Sequence, residues 1–348
     1  MEKGKANKSV TLRDIARLTG YSINTVSHAL RFKDDISQET GERIRQTARE
    51  MGYTGNQIAS SLRSGRTHLL AVILGGMSNP FYGIMADTIQ DAAQAAGYSL
   101  IILCSRDNSE LEARLVEQAI SRQVDGIILF PTDGSAKTIE RLREAGTPFV
   151  LMSRFLTEGE ADSVVCDEVH GAYLATRHLI DSGCRKLAYI SSTTVVFSSE
   201  RRIEGFTRAC NDFGIPPDHQ AVLISNARIL NRRPALDWHE TLAEDLRRLK
   251  ALSFDGLFVF CDVEAWLALE VLQSHEDLQP DDFSIASFDD LGTILSYPMT
   301  VCSVGGNYEE MAEKCIELLK ARIHNDTSSP RTIVCPVHLQ CRGSCKRL

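Results

Sequence analysis

The chain has 348 residues, more than one ordinary domain contains, which predicts two or three domains. Its hydrophobic fraction of 43% and charged fraction of 24% are typical of a soluble globular protein. No apolar run reaches the roughly 18 residues that a membrane helix needs, and no apolar segment follows the charged N-terminal residues. We therefore expect a cytoplasmic protein without a membrane span or a signal peptide.

Charge is distributed unevenly along the chain. Residues 1–67 contain 12 Lys and Arg against 7 Asp and Glu, whereas the remainder contains 26 against 39. A basic head on an acidic body suggests that the N-terminal segment meets a polyanion.

The ten cysteines show no disulfide-rich spacing, so we expect reduced thiols. Cys341 and Cys345 could begin a metal site, but no second ligand pair follows them. We therefore expect neither a metal nor a cofactor.

Residues 11–30, TLRDIARLTGYSINTVSHAL, predict two helices joined by a turn. Thr11 and Asp14 have the form of a capping box that begins the first helix, and Gly20 can end it in a left-handed conformation. Three residues have the spacing of a helix-turn-helix motif. They are a small residue in the first helix, a glycine in the turn and an apolar residue that packs the second helix against the first. These are Ala16, Gly20 and Val26.

The second helix follows Ser22, which can cap it, and a third is predicted after Ser37. The N-terminal half of the second helix is predicted to turn mostly short polar side chains outward. They are Ile23, Asn24, Thr25, Ser27 and His28. Amide and hydroxyl groups near a helix N-terminus suit the major groove, where they can read base edges. Together with the basic charge, this pattern predicts a DNA-binding head.

The head resembles that of the LacI/GalR family of bacterial transcription regulators. The string above and ISQETGERIRQTAREMGYTGNQIASSLRSGRT (residues 36–67) carry the likeness, which continues through the whole chain. The resemblance implies a homodimeric regulator, expected to be a repressor, on a pseudo-palindromic operator. Its operator affinity would depend on a small effector, expected to be a sugar or sugar derivative.

The resemblance also implies which residues meet DNA. Base-reading positions are held by Ile23, Asn24 and His28, and phosphate-contacting or capping positions by Ser22, Thr25 and Ser27. The remaining implied contacts lie at the start of the first helix and in a hinge helix whose leucine enters the minor groove. They are Thr11, Leu12, Asn56, Ala59 and Leu62.

Two departures from the family pattern affect these implied contacts. His28 stands where arginine is commonest in the family. An imidazole therefore replaces a permanently charged guanidinium. Gly55 and Ser60 stand where the family often has proline and arginine, and glycine makes a looser entry into a hinge helix.

From Leu69 onward, short apolar runs alternate with amphipathic helical stretches. Strands that are apolar throughout and separated by helices are typical of a doubly wound parallel sheet. The alternation begins again after residues 163–167, which predicts two similar lobes with a ligand in the cleft at the carboxyl ends of the strands. The predicted fold class is therefore α/β, and the family likeness implies a periplasmic-binding-protein-like body.

The predicted domains are a head at 1–54, a hinge helix and linker at 55–68, and an effector-binding and dimerisation body at 69–348. Within the body we expect a first lobe at about 69–165 and 303–328 and a second at about 166–302 and 329–345. Residues 331–340 are predicted to form one strand.

The family likeness implies the cleft residues. They are Phe81, Tyr82, Ser153, Arg154, Arg202, Cys261, Asp262, Phe288 and Asp289. Carboxylates and a guanidinium can bind vicinal hydroxyls, and aromatic rings can cover the apolar face of a sugar. An effector phosphate or carboxylate remains an alternative. Ser153, Cys261 and Ser287 depart from the acidic residue, asparagine and glycine that the family often has there.

The sequence fits two other classes of protein, a hydrolase and a transport binding protein, less well than it fits a regulator. A hydrolase would need a nucleophile elbow, and no G-x-S-x-G follows a predicted strand. Gly75 and Gly76 lack the third glycine of a nucleotide fingerprint, so we expect no enzyme. A transport binding protein with the same body would begin with a signal peptide rather than with a basic helix-turn-helix.

Overall fold

A computed structural model describes residues 10–30, 35–53, 65–132, 134–154, 160–192, 197–227, 237–295 and 300–345. The chain divides into two compact units, residues 1–67 and 68–348. Among the helices of these described ranges, none has the length and apolar character needed to cross a bilayer.

The described residues of the first unit form three helices: α1 (Leu12–Thr19), α2 (Ile23–Leu30) and α3 (Gln38–Glu50). They enclose a small apolar core to which each helix contributes. Its fully buried members are Ile15, Val26, Ala29, Ile44 and Ala48.

The expected caps of these helices are present. The carboxylate of Asp14 accepts a hydrogen bond from the Thr11 amide at 3.0 Å. Gly20 ends α1 with φ at 77°, a conformation that costs glycine little. The Ser22 hydroxyl accepts from the Thr25 amide at 3.0 Å and so caps α2.

The second unit contains two six-stranded sheets. The first is wholly parallel, with the order β11-β5-β4-β3-β1-β2. Its strands are β1 (Leu69–Leu74), β2 (Ser99–Cys104), β3 (Gly126–Leu129), β4 (Phe149–Met152), β5 (Ser163–Cys166) and β11 (Thr332–Cys335). β1, β3 and β4 are apolar and almost wholly buried, as expected of central strands in a doubly wound sheet.

The second sheet has the order β12-β10-β9-β8-β6-β7 and is parallel except for the antiparallel edge strand β12. Its strands are β6 (Leu187–Ser191), β7 (Gln220–Ile224), β8 (Gly256–Val259), β9 (Ser284–Phe288), β10 (Cys302–Gly306) and β12 (Val337–Gln340). The two sheets confirm the predicted α/β class.

Helices connect the strands in both lobes. They are α4 (Pro80–Ala95), α5 (Ser109–Ser121), α6 (Ala136–Glu144), α7 (Glu168–Asp181), α8 (Phe197–Asp212), α9 (Trp238–Ala251), α10 (Asp262–Ser274), α11 (Leu291–Ile294) and α12 (Tyr308–Ile323). Single 3₁₀ turns lie at Pro217–His219 and Pro280–Asp282. The core of the first lobe lies mainly between its sheet and α4 and α12.

The points at which the chain passes between the lobes differ from those expected. β10 belongs to the second sheet, where it pairs with β9, although residues from 303 onward were assigned to the first lobe. The single strand expected at 331–340 is two strands in different sheets. Cys335 pairs with Cys166 in the first sheet, whereas Val337 pairs with Gly306 in the second. Pro336 separates them, and its lack of an N–H makes it a poor member of a continuous ladder.

Candidate functional site

The candidate effector site lies at the carboxyl ends of the strands and is centred on Arg202, a residue of α8. Its side chain is buried, with 5% of the residue exposed. Nε donates to Glu168 Oε2 at 2.6 Å, Nη1 donates to the Phe260 carbonyl, and Nη2 lies 3.6 Å from Asp289 Oδ1. The two carboxylates raise the pKa of Arg202 against the effect of burial, so the guanidinium remains charged.

Aromatic rings flank the same guanidinium. Its central carbon lies 3.8 Å from the centroid of the Phe288 ring and 4.7 Å from that of Phe260. This is the geometry of a cation–π contact, which is stronger where water is excluded. Gly171 makes room for the Phe288 ring, because a Cβ there would lie 2.5 Å from a ring carbon.

Asp289 is held in an unusual backbone conformation, with φ at 107°. Its amide donates to the Val304 carbonyl at 2.7 Å, and its carbonyl accepts from the Tyr308 hydroxyl at 2.6 Å. Burial raises the pKa of the Asp289 carboxyl well above its usual range, although Arg202 opposes the shift. Strained residues held by their surroundings occur preferentially at ligand sites.

Aromatic residues of the first lobe form one wall. Phe81 is the second residue of α4, and its amide donates to the capping Asn79 side chain at 3.0 Å. Its ring centroid lies 5.3 Å from that of Tyr82 and 5.7 Å from that of Tyr308. Burial raises the pKa of Tyr82 to about 12, so its hydroxyl stays neutral.

The first-lobe wall contacts the second lobe, because the Tyr308 hydroxyl donates to the Asp289 carbonyl and the Tyr308 ring adjoins that of Phe81. Arg154 and Asp289 both act on the pKa of Tyr82, the arginine lowering it and the carboxylate raising it. The structure therefore brings together residues of both lobes that the sequence assigned to one cleft.

Ser153 follows β4 with φ at 63°. Its hydroxyl oxygen is buried and has no hydrogen-bond partner among the described residues. Buried hydroxyls are normally paired, so an unpaired one beside a candidate site indicates a position that a ligand can satisfy. The neighbouring Arg154 uses Nη1 to donate to the Pro131 carbonyl at 3.2 Å.

The carboxylate of Asp262 is hydrogen-bonded to groups of the protein itself. Its carboxylate accepts from Ser303 Oγ at 2.5 Å, from the Leu291 amide at 2.7 Å and from the Ser287 hydroxyl. These three bonds join Asp262 to β9, β10 and the start of α11, and its assignment as an effector contact stays a prediction. Ser287, which replaces the family's glycine, is one of these donors.

Cys261 directly precedes α10 and is buried, with 2% of the residue exposed. Burial raises the pKa of its thiol well above the usual value, so the sulfur stays protonated.

Three site residues were not predicted from the sequence. Glu168 pairs with Arg202, and the acidic pair Asp167–Glu168 directly after β5 was an available signal. Glu264, on α10, accepts from the amide and hydroxyl of Ser192 at 3.0 and 2.7 Å, and its charge interacts with that of Arg202. Tyr308 gave no local signal, because its place depends on how the chain crosses between lobes.

The head places part of the predicted DNA-reading set on its surface. Ser22 and Asn24 are exposed, and Ile23 is 45% exposed. The outward orientation predicted for Ser27 is wrong, since only 7% of it is exposed. The short helix α2 packs against both α1 and α3, so more than one stripe of its surface is covered.

The other predicted DNA contacts differ in how exposed their side chains are. His28 is half-buried, and its Nδ1 lies 2.6 Å from Asp35 Oδ2. Thr11 is exposed, Thr25 is half-buried, and Leu12 packs partly against the core of the head. The hinge positions Asn56, Ala59 and Leu62 lie outside the described residues.

Family comparisons match nearly the whole chain. Residues 11–56 match bacterial regulatory proteins of the lacI family. Residues 67–237 match the periplasmic binding proteins and sugar binding domain of the LacI family, and residues 176–345 match a periplasmic binding protein-like domain.

Individual proteins similar to this chain are also bacterial transcription regulators. The HTH-type transcriptional regulator DegA of Bacillus subtilis (strain 168) is 30% identical over 296 residues, which are 83% of this chain and 85% of DegA. The ribose operon repressor of Haemophilus influenzae is 28% identical and is aligned over 93% of this chain and 95% of its own length.

A solved structure of the lac repressor dimer bound to operator and the anti-inducer ONPF has the same fold. Its TM-score is 0.80 at 19% identity, and the match covers 97% of this chain and 100% of that one. The helix-turn-helix head, the two-lobed body and these relatives together show that the chain belongs to the LacI family of bacterial transcriptional regulators.

Proposed function

We propose that the chain is a transcriptional repressor that acts in the cytoplasm and binds a pseudo-palindromic operator as a homodimer. A neutral sugar or sugar derivative, bound between the two lobes, sets its operator affinity. The observation that carries this proposal is the buried Arg202, which lies between two carboxylates and stacks on Phe288. Hydrogen-bond acceptors beside a guanidinium and an aromatic face are the groups that recognise sugar hydroxyls and the apolar sugar face.

The charge of this site favours a neutral ligand over a phosphate or a carboxylate. The guanidinium of Arg202 already has Glu168 at 2.6 Å and Asp289 at 3.6 Å, so little of its charge is available to an anion. The neutral hydroxyls of Ser153 and Tyr82 add donors and acceptors without adding charge.

On DNA, we propose that α2 enters the major groove with Asn24 as a base-reading residue, because its side chain is exposed near the helix N-terminus. The ring of His28, oriented by Asp35, offers its Nε2 atom to a base or a phosphate. The sequence-based assignment of Asn56, Ala59 and Leu62 to a hinge helix that meets the minor groove stays part of this proposal.

The sugar proposal is tested by a thermal-shift screen of the full chain against neutral carbohydrates. D-ribose is screened first because a relative is a ribose operon repressor. A ligand present at 100 times its dissociation constant adds ~2.7 kcal/mol to the free energy of unfolding. If sugar phosphates raise the melting temperature and no neutral carbohydrate does, the proposed ligand class is wrong.

A further inference from the structure

Three side chains that can bind a metal ion meet in the second lobe, and a fourth lies beside one of them. One ligand atom from each of His178, Cys302 and Cys345 lies within 4.8 Å of the other two. The sulfur of Cys341 lies 3.6 Å from that of Cys302 but does not belong to this group of three. The four residues come from the last turn of α7, the start of β10 and the segment after β12, so only the fold brings them together.

The histidine has a free ligand atom. His178 Nε2 is buried, and none of the described residues gives it a hydrogen-bond partner. A buried ring nitrogen without a partner is uncommon in a folded protein. One nitrogen of this ring lies near the two thiols, so His178 is available as the nitrogen ligand of a metal ion.

The sulfur of Cys302 accepts a backbone hydrogen bond of the kind that metal thiolates often receive. The Arg342 amide donates to Cys302 Sγ at 3.2 Å, and Ser344 Oγ accepts from the Cys302 amide at 2.7 Å. Outer hydrogen bonds of this kind fix ligands and stabilise a thiolate. Sulfurs bound to one tetrahedral zinc lie about 3.8 Å apart, as follows from a Zn–S distance of about 2.3 Å. The Cys302–Cys341 separation of 3.6 Å is close to this value.

We propose that His178, Cys302 and Cys345 bind one Zn²⁺ ion and that the exposed Cys341, whose sulfur lies next to that of Cys302, moves in as the fourth ligand of a tetrahedral structural site. On binding, each thiol that is still protonated releases its proton to solvent as the Zn–S bond forms. The sequence alone led us to expect no metal, because Cys341 and Cys345 have no second pair in sequence. The missing ligands are supplied from residues 178 and 302.

Zinc here would fasten the segment after β12 to the body. Arg342 lies between two of the ligands and donates to Asp290 and, at 2.6 Å, to Thr293. Asp290 follows Asp289 of the candidate effector site. The metal would therefore stabilise the edge of the second sheet and the segment that supports this site.

The test is the metal content of the purified full chain after incubation with ZnCl₂ and desalting, measured by mass spectrometry of the elements. We expect one zinc per chain. Incubation with Co²⁺ in place of zinc should give the visible absorption of tetrahedral cobalt thiolate. Cys341→Ser and His178→Gln should each weaken zinc binding at least tenfold. Cys341 is exposed, so its substitution should leave the fold intact.

The matched control is Cys315→Ser, a buried cysteine of the first lobe that should keep the zinc. The proposal is overturned if wild type binds no zinc, if another metal replaces it in the purified protein, or if Cys341→Ser and His178→Gln bind zinc as tightly as the control. A disulfide between Cys302 and Cys341 or Cys345 in the freshly purified chain would also overturn it.

Discussion

The guanidinium of Arg202 stacks on the ring of Phe288, with 3.8 Å between its central carbon and the ring centroid. The carboxylates of Glu168 and Asp289 hold the same guanidinium from its edges. This arrangement fixes one cation against an apolar face at the end of β9. The carboxylate oxygens and the aromatic surface around it are then the groups that can contact an effector.

Replacing Arg202 with lysine tests this arrangement. Lysine keeps the positive charge but loses the planar fork that bonds to Glu168 and to the Phe260 carbonyl. We expect a loss of at least ~1 kcal/mol in the free energy of unfolding, because buried charge-assisted hydrogen bonds are removed. Effector affinity, measured by calorimetry, should fall at least tenfold.

The control for that variant is Arg201→Lys, on the same helix, where Arg201 pairs with Glu204 at the surface. It should change the free energy of unfolding by no more than ~0.5 kcal/mol. Equal effector affinity in the two variants would remove Arg202 from the site.

Replacing Ser153 with alanine tests the unpaired hydroxyl. The free protein should lose no stability, because the Ser153 oxygen has no partner within the described chain. The free energy of effector binding should become less favourable by ~0.5–1.5 kcal/mol if the ligand supplies the missing hydrogen bond.

Ser105 provides the contrast, because its buried hydroxyl donates to the Leu74 carbonyl at 3.1 Å. Ser105→Ala should lower the free energy of unfolding by ~0.5–1.5 kcal/mol. If Ser153→Ala destabilises the free protein to the same extent and leaves effector affinity unchanged, Ser153 is a structural residue.

Glu264 should make stability depend on pH. Burial raises its pKa to about 7, whereas an unfolded glutamate has a pKa of about 4.3. Between these values the folded chain holds a proton that the unfolded chain releases, so the free energy of unfolding falls as the pH rises through this window. From about pH 6 to about pH 7.5, wild type should lose ~1 kcal/mol more than Glu264→Gln.

Glutamine resembles the protonated carboxyl and can still bond to the amide and hydroxyl of Ser192. Glu270→Gln, at an exposed position of the same helix, should retain the wild-type pH dependence. Denaturant unfolding at several pH values measures the difference. Parallel pH profiles for wild type and Glu264→Gln would show that Glu264 does not titrate in this window.

Asn24→Ala tests the reading of bases. Loss of a base-edge contact should weaken binding to the cognate operator by ~1–3 kcal/mol and leave binding to random DNA nearly unchanged. Gln46→Ala, at an exposed position of α3, is the control. Fluorescence anisotropy with both DNAs would show a positioning role for Asn24 if the losses were equal.

The periodic features of the sequence were sufficient to predict most of the fold. The alternation of apolar runs and helical stretches located the elements, because buried strands and amphipathic helices leave a local pattern. The split strand at 331–340 was not found, although Pro336 lies at the break. Its two halves belong to different sheets, which depends on the positions of β5 and β10.

The candidate site was predictable only where the family resemblance named a position. Arg202, Phe288 and Asp289 lie together, whereas the carboxylate of Asp262 is engaged with its neighbours. The burial of Ser27 was missed because α2 is covered on two sides. The cluster around Cys302 could not be predicted, since His178 lies more than a hundred residues before the cysteines and Cys302 lies far from Cys341 and Cys345.

We expect a ligand bound at Arg202 and Asp289 to set the operator affinity of the protein. The most direct measurement is the operator dissociation constant with and without the sugar that raises the melting temperature, for wild type and Asp289→Asn. In wild type the sugar should change the constant by about 5–150-fold, a typical allosteric coupling. Asp289→Asn should bind the operator without sugar as wild type does and should not respond at the same sugar concentration. An undiminished response in Asp289→Asn, or no response in wild type to a sugar that binds it, would contradict the account.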